Sequence, residues 1–124
     1  MDAGRAGTLL NVFIGEADKK DHRPLHRVIV EAAHASGLSQ AIVLRGAEGF
    51  GANSPWIHTA KILRLSENLP LAIQIVDSEN KINEFLPLLS ELLEGSDCTA
   101  TVIQSKVEVI QYLPKSSLKT LDEG

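Results

Sequence analysis

The stretch LPLAIQIVDSENKINEFLPLLSELLEG (residues 69–95) decides the fold, because it carries a strand and then a helix with almost nothing between them. Leu69 to Val76 is short, apolar and rich in β-branched residues, and reads as a strand; Pro70 suits its very start, since proline cannot donate into a ladder. Asp77 or Ser78 then caps a helix whose apolar stripe is Ile82, Phe85, Leu86, Leu89 and Leu93. Pro87 removes the amide that would bond the Asn83 carbonyl, at a cost of about 3 kcal/mol. The stripe continues through it, so the reading is one kinked helix, closed by Gly95.

The first part of the chain repeats this plan. In TLLNVFI (residues 8–14), Leu10, Val12 and Ile14 share one face and Leu9 and Phe13 the other, which predicts a strand ended by Gly15. Residues 16–23 form a charged loop in which Asp21 is positioned to cap the next helix, with Pro24 in its first turn. Leu25, Val28, Ile29 and Ala32 recur at helical spacing, while Arg27, Glu31 and His34 face outward. Gly37 suits the C′ position, where φ > 0 is required.

A second strand is predicted over QAIVLR (residues 40–45). Residues 56–66 alternate weakly in favour of extended structure. Residues 99–112 are β-rich but broken at Ser105-Lys106, as a bulged strand or a hairpin. Residues 1–7 are expected to be a flexible N-terminus, residues 8–113 the domain, and residues 114–124 a polar tail. The order matches an α+β, ferredoxin-like βαββαβ fold, an antiparallel sheet with two helices on one face. The strands are apolar on both faces, so the face without helices is expected to be covered by further copies of the chain.

Composition narrows the function. The chain has 124 residues and 44% hydrophobic content, enough for one domain with its own core. Twelve basic residues against sixteen acidic give a net charge of −4, which argues against nucleic acid as a partner. The single cysteine, Cys98, excludes an intrachain disulfide framework and fits a reducing compartment. No run is long and apolar enough to span a membrane, and MDAGRAG does not read as a signal peptide. The expectation is a cytoplasmic domain.

The stretch LRGAEGFGANS (residues 44–54) loses regular pattern immediately after strand two, and such loops on rigid scaffolds are where binding concentrates. Gly46, Gly49 and Gly51 are spaced G-x-x-G-x-G, which is not the dinucleotide fingerprint G-x-G-x-x-G. Arg45 stands where strand becomes loop. It either neutralises a phosphate or another anionic group, with glycine amides adding donors, or pairs with Glu48 or Glu16. Phe50 either stacks on a base or partner, or anchors the loop on a neighbouring subunit.

Five pieces of the chain, FIGEADK, RPLHRVIVEAAHASGL, VLRGAEGFG, HTAKILRLSENLP and IQIVDSENKINEFLPLL, occur in an order that resembles the PII-like family known as domain of unknown function 190. The resemblance covers residues 9–112 and departs at Ser39-Gln40-Ala41-Ile42, where the family has an Ala-Gly-Ala-Thr turn. It implies a trimer like those of the nitrogen-regulatory PII and CutA-like proteins. It further implies adenine nucleotides in the clefts between subunits and an effector loop after strand two that touches partner proteins. By position that loop is residues 46–57, with Arg45, Gly46, Gly49, Phe50 and Gly51 at its base. PII proteins grip ATP phosphates with a glycine- and lysine-rich turn after the second helix. The corresponding residues 94–99, EGSDCT, hold no lysine and two acids, so a differently held mono- or diphosphate is the reading left open.

The remaining candidates divide as follows. His58 follows the loop and either donates to a ligand at its base or faces water from a strand. His22 and His26, with Asp18 and Asp21 near, have metal-ligand residue types, but nothing would fix them, and exposed histidines are the simpler reading. Cys98 reads as a small buried side chain, and Trp56 as a loop anchor or a partner contact. No catalytic constellation is legible, so the chain is expected not to be an enzyme. The leading expectation is a regulatory homotrimer that senses AMP, ADP or ATP at subunit clefts and signals through the loop. The alternative is an interaction trimer that docks an unknown protein partner through the loop without a ligand.

Overall fold

A computed structural model describes residues 5–50 and 68–114. Four strands form one antiparallel sheet: β1 (Arg5–Gly15), β4 (Ala41–Arg45), β5 (Pro70–Asp77) and β6 (Thr101–Val109). Their order across the sheet is β4-β5-β1-β6, so each βα unit skips a strand and the intervening strand runs antiparallel. Helices α1 (Leu25–Ala35) and α2 (Glu79–Glu94) supply the two crossovers. This is the expected ferredoxin-like arrangement.

The core lies between the helices and one sheet face. Leu10, Val12 and Ile14 of β1 and Leu71, Ile73 and Ile75 of β5 meet Leu25, Ile29 and Ala33 of α1 and Ile82, Phe85 and Leu89 of α2. Each large apolar side chain buried here contributes about 1.5–3 kcal/mol. Helix α1 thus seats Ala33, one position beyond the predicted Ala32, and Val28 is only half-buried.

The helix ends follow from local chemistry. At the end of α1, Leu38 N–H donates to the Ala33 carbonyl at 3.2 Å and Gly37 N–H to that of His34 at 3.1 Å. This paired closure requires left-handed backbone at Gly37, whose φ is +82°. Ser78 caps α2, its Oγ accepting from Lys81 N–H at 3.3 Å. Helix α2 runs through Pro87 as one element, and Pro87 lies on its exposed side.

Several expectations need correction. Strand β1 begins at Arg5, so Arg5, Ala6 and Gly7 pair with Val109, Glu108 and Val107. The charged loop contains a hairpin, β2 (Lys19–Lys20) with β3 (Arg23–Pro24), turned at Asp21 and His22 with φ of 50° and 70°. Two consecutive positive φ values are what a two-residue hairpin turn demands. Asp21 therefore shapes this turn, and Pro24 stands at the N-cap of α1 with no side-chain cap bond. Strand β6 crosses Ser105-Lys106 in unbroken register, opposite Leu9 and Thr8, so it is neither bulged nor a hairpin. The alternating segment expected over residues 56–66 lies outside the described residues.

The second sheet face carries no helix. Phe13 and Leu44 are 42% and 48% exposed there, and Ile42 and Ile103 are 49% and 48% exposed. Half-buried Leu9, Ala72 and Val76 continue the same face.

Candidate functional site

The candidate site is built at the end of the sheet where β1 and β4 stop and β5 starts. Gly15 lies opposite Pro70, and Arg45 opposite Leu71, so both strand exits flank the first residues of β5. Backbone bonds hold each exit in place. Glu16 N–H donates to the Leu69 carbonyl at 2.8 Å, and Gly46 N–H to the Pro70 carbonyl at 2.7 Å. Ala17 N–H donates to Asn68 Oδ1 at 2.8 Å, and Gly15 N–H to Asp18 Oδ2 at 2.8 Å.

Arg45 and Glu16 meet across this frame, with Arg45 Nη2 donating to Glu16 Oε2. The Arg45 side chain remains 61% exposed and that of Glu16 28%. An exposed pair of this kind contributes about 0–1 kcal/mol, so it does not lock the arginine.

The turn beyond Arg45 lies against the Pro70 ring. A Cβ on Gly46 would come within 2.8 Å of Pro70 Cγ, and one on Gly49 within 3.0 Å. These glycines therefore have a packing reason to lack side chains, beside any ligand approach to their amides. Phe50 follows with 67% of its surface exposed. Gly46 and Gly49 thus lie against Pro70 and Arg45 opposite Leu71, with Phe50 next in the chain, whereas Gly51 and His58, like Trp56, fall outside the described residues.

The turn after α2 gains a lysine from elsewhere, as Lys20 Nζ of β2 donates to the Gly95 carbonyl at 3.4 Å. Beside it is an open hollow of about 420 Å³ lined by Ser90, Leu93, Glu94, Ser96, Cys98 and Ala100. Cys98 is half-buried against the core, with Sγ 3.2 Å from Ser96 Oγ. His22 is exposed in the hairpin turn and His26 half-buried in the first turn of α1. Among the described residues no three His, Cys, Asp or Glu side chains are gathered as a metal site. Nor is any described helix long and apolar enough to cross a membrane.

Of the two partners the sequence offered Arg45, Glu48 and Glu16, the structure pairs it with Glu16, and Pro70 is the site residue that sequence patterns did not single out as functional. Glu16 carries one signal, a carboxylate placed directly after the strand-ending Gly15.

Comparison with known proteins shows the family and the fold. The family model for DUF190, described as uncharacterized ACR, matches residues 7–109. A UPF0166 protein of Methanocaldococcus jannaschii is 33% identical over 88 residues, which are 71% of this chain and 80% of that protein. A UPF0166 protein of Aquifex aeolicus is 33% identical over 78 residues, 63% of this chain and 73% of that one. Among solved structures, a nitrogen regulatory PII-like protein from Thiomonas intermedia, bound to ADP, AMP and bicarbonate, superposes with a TM-score of 0.57. That match has 11% identity and covers 83% of this chain and 89% of that one. A PII-like signaling protein from Thermus thermophilus superposes with a TM-score of 0.51 at 17% identity, covering 87% and 94%.

Proposed function

The chain belongs to the DUF190 family of uncharacterized ACR proteins, and from the fold it shares with PII-like proteins we propose that it is a PII-like regulatory protein. In this reading it is a homotrimer that binds a small anionic effector, an adenine nucleotide, in the clefts between copies. It reports the bound state through the loop at residues 46–57.

The observation that carries the reading is the placing of Arg45 and the Gly46–Gly49 turn at one sheet end, in a fold shared with a protein solved with ADP and AMP. A guanidinium beside this turn offers a phosphate a charged fork, and any backbone donors must come from amides beyond Gly46, whose own N–H is bonded to the Pro70 carbonyl. The trimer is supported by the helix-free sheet face, where Phe13, Ile42, Leu44 and Ile103 present apolar surface that other copies would cover. Signalling requires only that the nucleotide bind one loop conformation more tightly than the others.

The test is calorimetric titration with AMP, ADP and ATP, paired with thermal denaturation. A nucleotide that binds only the folded trimer at 100 times its Kd adds about 2.7 kcal/mol of stability. Binding of none of the three removes the nucleotide reading.

One observation favours a second reading, an interaction trimer that docks a protein through the loop without a ligand. Arg45 is already paired with Glu16, and Gly46 and Gly49 are already packed on Pro70. The same titration separates the two.

A further inference from the structure

We propose that Glu16 is the resident counter-ion of the Arg45 site and selects effectors of low charge, so that a nucleoside monophosphate is preferred over a triphosphate. The inference rests on the reading of Arg45 as the anion-binding residue.

Glu16 Oε2 accepts from Arg45 Nη2, so it occupies one arm of the guanidinium fork that an incoming phosphate would engage. The two residues are held opposite each other by the fold. Glu16 is pinned through its N–H to the Leu69 carbonyl, and its neighbour Ala17 through Asn68. Arg45 is pinned by the β4–β5 ladder and by Gly46 N–H on the Pro70 carbonyl. Both backbones therefore abut the Leu69–Leu71 segment from its two sides, and the side chains meet without ordering a free loop.

Two consequences follow from this geometry. The pair is exposed enough to be exchanged, since Arg45 keeps 61% of its side-chain surface in contact with solvent. When a phosphate takes the guanidinium, the Glu16 carboxylate is displaced but cannot go far, because its backbone is fixed. It then stands as a like charge beside the ligand, and that repulsion grows with each added phosphate.

The experiment is calorimetric titration of AMP, ADP and ATP into the intact protein, Glu16→Gln, Arg45→Ala and the double variant, at low ionic strength. Glu16→Gln keeps the side chain's shape and is expected to tighten AMP by about two- to fivefold and ATP by more, the scale of an exposed ion pair. In the Arg45→Ala background the gain should shrink to the part that comes from like-charge repulsion, because the competition for the guanidinium is gone. Unchanged affinity in Glu16→Gln, with the native chain binding nucleotide, overturns the role of Glu16 and leaves the proposed function standing. An equal gain with and without Arg45 also overturns it, since Glu16 would then repel anions without competing for the arginine. Binding by Glu16→Gln but not by the native chain overturns the inference, since Glu16 would then block nucleotides instead of selecting among them, and it removes the proposed function as well. Binding by none of the four proteins removes the proposed function and this inference together.

Discussion

Gln74 Nε2 donates to Asn11 Oδ1 at 3.0 Å, and the two residues stand directly opposite each other on β5 and β1. They form a polar pair within a mostly apolar sheet face, and Asn11 is only 9% exposed. Leaving one such group without its partner costs about 1–3 kcal/mol, whereas removing both partners together is close to neutral. Gln74→Leu should therefore destabilise the chain by about 1–3 kcal/mol, and adding Asn11→Val should recover most of the loss. Urea denaturation of the single and double variants measures this coupling.

The same face supplies a test of assembly. Phe13 is 42% exposed at its middle, opposite Thr101 on one side and Ala72 on the other. A carboxylate there would be buried by any copy that covers the face, at a cost of several kcal/mol per copy. If the native chain forms the proposed trimer, Phe13→Asp is expected to yield monomer, as read by light scattering of both proteins at micromolar concentration. A variant that remains trimeric would show that the copies meet through another surface.

The fold was legible wherever burial imposes a period. Leu10, Val12 and Ile14 alternate because one sheet face is covered, and Ile82, Phe85 and Leu89 recur because one helix face is. The β2–β3 hairpin was not legible, since strands of two residues carry no period and its Asp21-His22 turn lacks glycine. Strand β6 was misread at Ser105-Lys106 because it is an exposed edge strand, where polar residues interrupt nothing. At the site, the strand-to-loop change marked Arg45, Gly46 and Gly49. The sequence offered Arg45 two partners, Glu48 and Glu16, and it is the strand order that brings Glu16, 29 residues away, to it.

Gly46 offers a direct test of whether the glycine turn is built by packing. Its added Cβ would stand 2.8 Å from Pro70 Cγ and 3.3 Å from the Pro70 carbonyl oxygen, and a proline ring cannot swing aside. Gly46→Ala should cost about 1–3 kcal/mol, the usual scale of overpacking. Pro70→Ala removes the closest atom and should relieve part of that cost in the double variant, measured by denaturant melts of all three proteins.

At Gly37 the constraint is backbone conformation. With φ at +82°, any side chain there is strained, at about 1–2 kcal/mol for alanine. Gly37→Ala should lower stability by that amount and Gly37→Asn by less, because asparagine tolerates left-handed backbone better. Thermal melts followed by circular dichroism give both differences.

The last prediction concerns Arg45, on which the sensing reading depends. Its backbone is fixed by the ladder to β5 and its guanidinium is exposed beside Glu16, so truncation removes a ligand contact without opening the core. The lost pair with Glu16 should cost the fold at most about 1 kcal/mol. A charge-assisted bond to a phosphate is worth roughly 1.5–3 kcal/mol, and 1.4 kcal/mol is tenfold in affinity. Arg45→Ala should therefore weaken nucleotide binding by about ten- to a hundredfold while the oligomer and melting temperature stay near native. Arg45→Lys restores charge without the planar fork and should recover only part of the affinity. The loss should also shrink as salt is raised, because ions screen an exposed guanidinium from its ligand. If Arg45→Ala binds as tightly as the native chain, the nucleotide is held elsewhere, and the pair with Glu16 is only part of the scaffold.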